Sequence, residues 1–535
     1  MGSIIDAIQS KLGSSSGEYH GITYNFTSDN TFEQILQTPK LWGHDPSNNN
    51  YWIHDECSNC EKDLDFDLPY CDNGQTCNSS GGICGSLDML LTSRPVCQVA
   101  GDYFVNEIYK TIIQADSVVD ITTLGDFPSG HFLAMLRNAI NHLAATKQFV
   151  VIRILAGNIT FDRLDTKEFI SEITKYVPTS SNIQIFVSTM QTSIDSWNHA
   201  KIIAVDGKTA IVGGHNMWAQ DYLGFAPVHD VSIKISGSAA LDAHHFANKL
   251  WEHACYWNKN KSVYGSVHAI YAYHWSNGVT PYDSSDGLPR IEVNPAPPKT
   301  GTSQILALGS LGLGIDSISK GSANSNASNT ALVEAVRQAQ STLKISQQDL
   351  LTYMPPHSLI NLEDDRDFMT ELAKAILRKV DVYIVLSDPD AKSGAGTSYN
   401  NGVAIGETAA RIKYYVMLQP NSPRGKDLEN LLCSKLHIAP IHFFNQVGNL
   451  GKWQFGDKSD AIANHAKIYI VDDKAFYVGS HNIYPANLQE YGYLIEGVAE
   501  TQKMLQEYWN PLWNYSSQWA ISGSEAKQCV FTASP

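Results

Sequence analysis

A short string of polar residues occurs twice in this chain: His199, Lys201, Asp206 and Asn216, then His465, Lys467, Asp472 and Asn482. Each copy reads H-x-K-x4-D-x6-G-[GS]-x-N, and all four matched positions share one offset (465 − 199 = 266, 467 − 201 = 266, 472 − 206 = 266, 482 − 216 = 266). A repeat kept in register over such a distance restricts the fold to a duplicated unit whose two copies meet at one site. Two imidazoles, two ammonium groups and two amides suit a phosphodiester, since one histidine can attack phosphorus while the other protonates the leaving oxygen.

The intervening sequence predicts what is duplicated. Val118 to Leu124 reads as a strand, Gly130 to Thr146 has helical periodicity, and Phe149 to Leu155 is a short apolar run of buried-strand length. A charged helical stretch from Asp165 to Tyr176 and a strand from Ile183 to Ser188 follow. The plan recurs with a strand at Leu343 to Asp349, a helix at Phe368 to Lys379 and a buried strand at Val380 to Leu386. Strands alternating with helices predict an α/β fold. The expected architecture is two similar α/β units with mainly parallel sheets, related by a pseudo-two-fold axis, with the active site between them. From strand to histidine the halves differ in length (199 − 121 = 78 against 465 − 345 = 120), so the second carries an insertion around Ser393 to Tyr414. The expected organisation is a Cys-rich N-terminal region (1–100), a first catalytic half (101–276), a Pro- and Gly-rich linker (277–302) and a second catalytic half (303–535).

Within each motif, residues i and i+2 of a strand face one side, so His199 with Lys201, and His465 with Lys467, are expected to point together into one cleft. Asp206-Gly207 and Asp472-Asp473 then read as hairpin turns. The glycines before Asn216 and Asn482 let backbone approach a ligand, and the asparagines offer amide donors. Zinc suits these motifs poorly, because imidazole ligands would hold it beside two ammonium groups.

Six of the nine cysteines (Cys57, Cys60, Cys71, Cys77, Cys84 and Cys97) fall in one polar, loop-rich segment. An even set there reads as a disulfide framework and points to a secreted or extracellular protein; a zinc site is the rival, since Cys57 and Cys60 have ligand spacing. Cys255, Cys433 and Cys529 are scattered, and one pair among them would leave one thiol. No positive n-region followed by an apolar core is visible at the start, and no run approaches the roughly 18 apolar residues of a membrane span. A net charge of −16 opposes binding of a polyanion, so nucleic acid is not an expected partner.

These residues resemble the signature of the phospholipase D superfamily. Ser196-Trp197-Asn198-His199 onward to Tyr222 looks like the first block of its secreted Streptomyces-type branch, and Ala475 to Ala486 resembles the second. Ile345 to Leu350 and Leu386 to Pro389 are similar to the same group. The likeness spans roughly residues 110 to 530 and leaves the six-cysteine region aside. It implies His199 as nucleophile and His465 as general acid, with Lys201, Lys467, Asn216 and Asn482 binding the non-bridging oxygens. It also implies carboxylate partners for the imidazoles at Asp230 and Glu490, the latter standing where many relatives have Asp. Asp206 and Asp472 are then structural anchors. No metal or cofactor is required, with calcium conceivable only as an accessory.

The implied reaction is hydrolysis of phosphatidylcholine-like diesters to phosphatidic acid and free alcohol. It would act as a monomer at a membrane or micelle surface, with transfer to primary alcohols in place of water. Trp197, Trp218, Tyr222, Tyr484 and Tyr491 are candidates for a cation–π wall around choline, or else core aromatics. The alternatives are another diesterase of the superfamily, a nuclease or phospholipid synthase, and a secreted non-catalytic binding protein on this scaffold.

Overall fold

A computed structural model describes residues 3–13, 18–43, 102–159, 164–193, 196–224, 226–259, 271–282, 293, 301–315, 325–353, 362–391, 399, 401–445, 451–455 and 458–532, together with two short strands, Ile83–Gly85 and Val96–Gln98. Among them the near-continuous apolar runs form the centre. Val118–Leu124 and Val150–Gly157 are buried at every position, as strands covered on both faces must be. They pair in parallel with each other, and Val150–Gly157 pairs in parallel with Ile183–Ser193, crossing over through the helices Gly130–Ala145 and Thr166–Ile173. On the other side of Val118–Leu124 lies the antiparallel hairpin Ile202–Val205 and Thr209–Gly213, followed by Asp230–Ser236.

The second half repeats these pairings in the same order and sense. Thr342–Ser346, Asp381–Leu386 and Leu436–Pro440 are parallel. Ile468–Val471, Ala475–Gly479 and Glu490–Glu496 then continue from Thr342–Ser346 in antiparallel fashion. The fold is therefore α/β with a duplicated plan, and its large sheet is mixed: each half contributes one block of three parallel strands. The hairpins and last strands run antiparallel between those blocks.

Two expected boundaries differ. Residues 1–100 were expected as a separate Cys-rich region, yet Tyr24–Thr38 is a strand of the main sheet. It pairs with Asp230–Ser236 and also with Ser303–Ser310, which in turn pairs with Glu490–Glu496, so it stitches the halves together. Its alternation is interrupted by a register shift between Phe32 and Gln34, which weakens the period-two signal. The helix Ile4–Leu12 buries Ile4, Ile5, Ile8 and Leu12 in the second half's core and is capped by Ser3, whose side chain accepts from the Asp6 amide. The expected linker 277–302 begins with a strand, Val279–Pro281, paired with Ala272–Trp275. Cys57, Cys60, Cys71 and Cys77 lie outside the described residues, and the backbone pairs Cys84 with Cys97 in a short hairpin.

The length difference between halves comes from two helices, Ile405–Leu418 and Gly425–Lys435, where the first half has the single helix Thr166–Ile173, and from the hairpin Trp453–Phe455 with Lys458–Asp460. The insertion thus extends well past Tyr414. Cys433 and Cys529 form a disulfide that ties the C-terminal segment to this helical layer, leaving Cys255 as a buried thiol. No helix among the described residues is long and apolar enough to cross a membrane.

Candidate active site

Each motif ends in a two-residue hairpin turn that fixes its geometry. Asp206 and Gly207 have φ of 53° and 60°, Asp472 and Asp473 have φ of 52° and 54°. Lys208 N–H donates to Val205 O at 2.9 Å and Lys474 N–H to Val471 O at 3.0 Å. Positive φ at both central positions is the turn geometry that matches the twist of a hairpin. The two aspartates do more than tolerate it. The Asp206 carboxylate accepts from the N–H groups of Asp116, Ser117 and Val118 at 2.7, 2.9 and 2.8 Å, and Asp472 does the same for Gln340, Ser341 and Thr342. Each motif is thereby anchored to the start of its neighbouring strand, far from the imidazoles.

His199, Lys201, His465 and Lys467 lie just before the strands Ile202–Val205 and Ile468–Val471 rather than within them, in extended segments at the sheet's end. What holds these segments is reciprocal across the halves. His199 N–H donates to Gln489 O at 2.9 Å, and His465 N–H donates to His229 O at 2.7 Å. The residue after each acceptor supplies a carboxylate to that same histidine. Glu490 Oε1 and Oε2 accept from His199 Nδ1 at 3.0 and 2.9 Å, and Asp230 Oδ2 lies 2.7 Å from His465 Nδ1. Each imidazole therefore turns Nε2 towards the cleft, and the two rings stand 6.3 Å apart at 78°.

Lys201 Nζ donates to His199 O at 2.6 Å and Lys467 Nζ to His465 O at 2.5 Å, which holds both ammonium groups against the histidine segments. The side-chain amides of Asn216 and Asn482 are buried, yet among the described residues neither their nitrogens nor their oxygens have a hydrogen-bond partner. Unpaired buried amides are costly, so these two are set for a polar ligand. Six of the eight residues predicted to touch substrate or its reacting groups are brought together by these contacts, His199, His465, Lys201, Lys467, Asp230 and Glu490, while Asn216 adjoins them through its backbone N–H, 3.4 Å from the Tyr222 hydroxyl, and Asn482 is buried at the end of the second motif.

Burial dominates the electrostatics. It pushes His199 down to about 4, with Lys201 adding to the effect and Glu490 opposing it. Burial, then Lys467, Lys201 and His199, push His465 well below its ordinary value. Lys467 is lowered to about 8 by burial, against the pull of Asp230 and Glu490, and Lys201 is lowered further by burial and by Lys467. Burial would raise Glu490, but the facing His199 and Lys201 outweigh it and hold the carboxyl below its usual range. At neutral pH His199 is thus a neutral imidazole with Nδ1–H on Glu490 and a lone pair on Nε2.

Several site residues were not singled out from the sequence. Asn198 and Asn464, at the same 266 offset (464 − 198 = 266), each brace their motif. Asn198 Nδ2 donates to Thr123 O at 2.8 Å and Asn464 Nδ2 to Gln347 O at 3.0 Å, while each side-chain oxygen accepts the amide two residues on at 3.2 Å. Extending the repeat by one residue would have found them. Tyr222, a candidate for either a choline-facing ring or a core aromatic, is buried and places its hydroxyl 3.0 Å from Asp230 Oδ2 and 3.3 Å from His465 Nδ1. Ser480 Oγ donates to Glu490 Oε2. Tyr399, from the second half's insertion, sets its ring edge-on to His465 at 5.4 Å and donates to Asp221 of the first half at 3.0 Å. Tyr491 is a core residue packed on Phe246 and Tyr493, not a wall of the cleft. Trp197, Trp218 and Tyr484 are half-buried.

Several known proteins are similar to this chain. The family described as "Cardiolipin synthase, PLD-like domain" matches residues 332–513, which include the second motif. A phospholipase D of Streptomyces antibioticus is 31% identical over 465 residues, covering 79% of this chain and 79% of that protein. Two solved structures align at greater distance. A phosphatidylserine synthase of Haemophilus influenzae is 14% identical with a TM-score of 0.48, over 77% of this chain and 84% of its own. A polyphosphate kinase of Porphyromonas gingivalis is 11% identical with a TM-score of 0.36, over 76% and 44%. On the extent and identity of the Streptomyces match, the chain belongs to the phospholipase D superfamily.

Proposed function

We propose that the protein is a phospholipase D that converts phosphatidylcholine-like diesters to phosphatidic acid and free alcohol, and transfers the phosphatidyl group to primary alcohols. The observation that carries this reading is the pair of carboxylate-backed imidazoles 6.3 Å apart, flanked by two lysines and two unpartnered amides. A phosphodiester anion fits between them. Its non-bridging oxygens would be held by Lys201, Lys467, Asn216 and Asn482, donors aimed where charge grows in the five-coordinate transition state.

His199 Nε2 attacks phosphorus as the bond to the alcohol oxygen breaks, and His465 Nε2 gives its proton to that oxygen. The product is a phosphohistidine whose ring charge is balanced by Glu490. Water or a primary alcohol then enters on the His465 side, loses a proton to His465 and displaces His199, which regenerates both groups. In the empty site His465 is held neutral by burial and the lysines. The incoming anion offsets those lysines and lets His465 take up the proton it must later donate.

No step uses a metal or cofactor; calcium would act only as an accessory at the lipid surface. The half-buried rings of Trp197, Trp218 and Tyr484 are the remaining cation–π candidates for a choline headgroup. The substrate is met peripherally, as a monomer on a membrane or micelle. The Cys433–Cys529 disulfide supports a secreted or extracellular location. The net charge of −16 speaks against a nuclease.

The test is incubation with phosphatidylcholine and ethanol. Phosphatidylethanol is expected alongside phosphatidic acid, because a covalent intermediate partitions between acceptors. Absence of either product across several diester lipids would overturn the assignment in favour of a different diesterase or a binding protein.

A further inference from the structure

The duplicated motif raises a question that the motif itself does not answer. Two histidines in nearly equivalent surroundings must do opposite things, one forming a bond to phosphorus and the other releasing a proton. We propose that two hydroxyls break this equivalence. Tyr222, by sharing Asp230, positions His465 as the proton donor, and Ser480 holds Glu490 square to His199 as the nucleophile's counter-charge. This rests on the histidine roles proposed above and goes beyond them by naming what separates the two roles.

The hydroxyls occupy positions where the halves differ. Ser480 corresponds to Gly214 (480 − 214 = 266), and Tyr222 corresponds to Leu488 (488 − 222 = 266). At the first pair the close approach of Asp230 enforces the difference. A Cβ on Gly214 would lie 2.1 Å from Asp230 Oδ1, so no serine fits there, and Leu488 has no hydroxyl. The shorter carboxylate therefore takes its hydroxyl from the helix Ala219–Tyr222, and the longer one from its own hairpin.

The consequences differ for each carboxylate. Among the described residues Asp230 is shared by three donors: Val231 N–H on Oδ1 at 2.8 Å, and Tyr222 O–H and His465 Nδ1–H on Oδ2 at 3.0 and 2.7 Å. A carboxylate divided in this way stabilises an imidazolium less, so the Nε2 proton of His465 passes more readily to an alkoxide. Tyr222 also sits 3.3 Å from Nδ1 and so limits rotation of the ring. Glu490 by contrast spans His199 Nδ1 with both oxygens, at 3.0 and 2.9 Å, and among the described residues Ser480 Oγ is the one further donor. Positive charge arising on the phosphorylated ring then faces a whole carboxylate. Tyr222 and Ser480 are positioning residues; neither needs to touch the substrate for this.

The experiment compares Tyr222→Phe and Ser480→Ala on two soluble diesters that share the phosphoryl portion. One has a p-nitrophenol leaving group, which departs without a proton, and the other an alkyl alcohol, which does not. Rates are read as the ratio between the substrates, so any loss of folded enzyme cancels within each preparation. Tyr222→Phe is expected to slow the alkyl diester at least about tenfold more than the nitrophenyl diester, the low end of what one acid–base group contributes. Ser480→Ala is expected to slow both by the same factor, and Ser480→Thr, which keeps the hydroxyl, to restore both. Equal losses in Tyr222→Phe would overturn the inference and leave Tyr222 as packing against His215. A leaving-group dependence in Ser480→Ala instead would keep the division of labour between hydroxyls but reverse the histidine roles, and so overturn the proposed mechanism.

Discussion

Glu490→Gln isolates the electrostatic half of the proposed chemistry. The glutamate is 2% exposed and its Oε2 lies 2.9 Å from His199 Nδ1. Two unit charges at that separation interact by about 6 kcal/mol at an effective dielectric of about 20. This is the stabilisation available to the ring as it becomes a phosphohistidine. Glutamine keeps the shape and part of the dipole, so the expected loss is somewhat smaller, about 10³- to 10⁴-fold in the first chemical step. A second effect points the same way. The new amide can donate to a bare Nδ1, which moves the ring proton to Nε2, the atom that must attack. The assay is single-turnover release of p-nitrophenol from a soluble diester, with thermal unfolding as a check that the fold survives. A folded variant that loses less than about tenfold would refute the reasoning, because an uncharged partner would then serve nearly as well.

Activity on a soluble diester should follow a bell in pH. His199, lowered to about 4, must be neutral to attack, so kcat/KM should fall only as pH drops towards 4. Lys467, lowered to about 8, and Lys201, lowered further, must be charged to hold the phosphate and His465 must carry a proton for the leaving oxygen, so the alkaline limb should lie no higher than about 8; an acid limb near 6.5 would contradict the burial of His199. Asp206→Ala should cost stability, about 3–5 kcal/mol by chemical denaturation, since it strands three backbone donors beside a buried site, whereas Asp472→Ala, at a half-buried position, should cost about 1–2 kcal/mol. Equal costs would mean that burial does not set the value of these anchors. With Cys433 and Cys529 paired and Cys255 reduced, thiol counting on denatured, unreduced protein should find about one thiol, whereas six or more would mean the N-terminal cysteines are not disulfides.

The site was more legible in the sequence than the fold around it. A residue that must hold a reacting atom in one place leaves a type and a spacing, and the 266 offset carried His199, Lys201, Asn216 and their counterparts directly into one cleft. The alternation of strand and helix was equally direct, because Val118–Leu124 and Val150–Gly157 are buried on both faces and read as unbroken apolar runs. Tyr24–Thr38 was hidden because it spends its length on two different partners with a register shift within each pairing, and so shows no single period. The crossed carboxylates are invisible to local reading. Glu490 serves His199 from 291 residues away, and Asp230 serves His465 from 235, so their assignments came from resemblance alone. The contacts of Tyr222 and Ser480 with the carboxylates escaped for the opposite reason: they lie at positions where the repeat is broken, and a search for matched residues passes over them.

The covalent intermediate is the most direct test of the account. His465→Ala, given a labelled diester with a p-nitrophenol leaving group, should retain about one equivalent of label after rapid denaturation, since departure needs no acid and hydrolysis lacks its base. Peptide mapping should place that label on His199, and His199→Ala should take up none. Label on His465 in His199→Ala, with none in His465→Ala, would contradict the assignment of nucleophile and acid on which the mechanism stands.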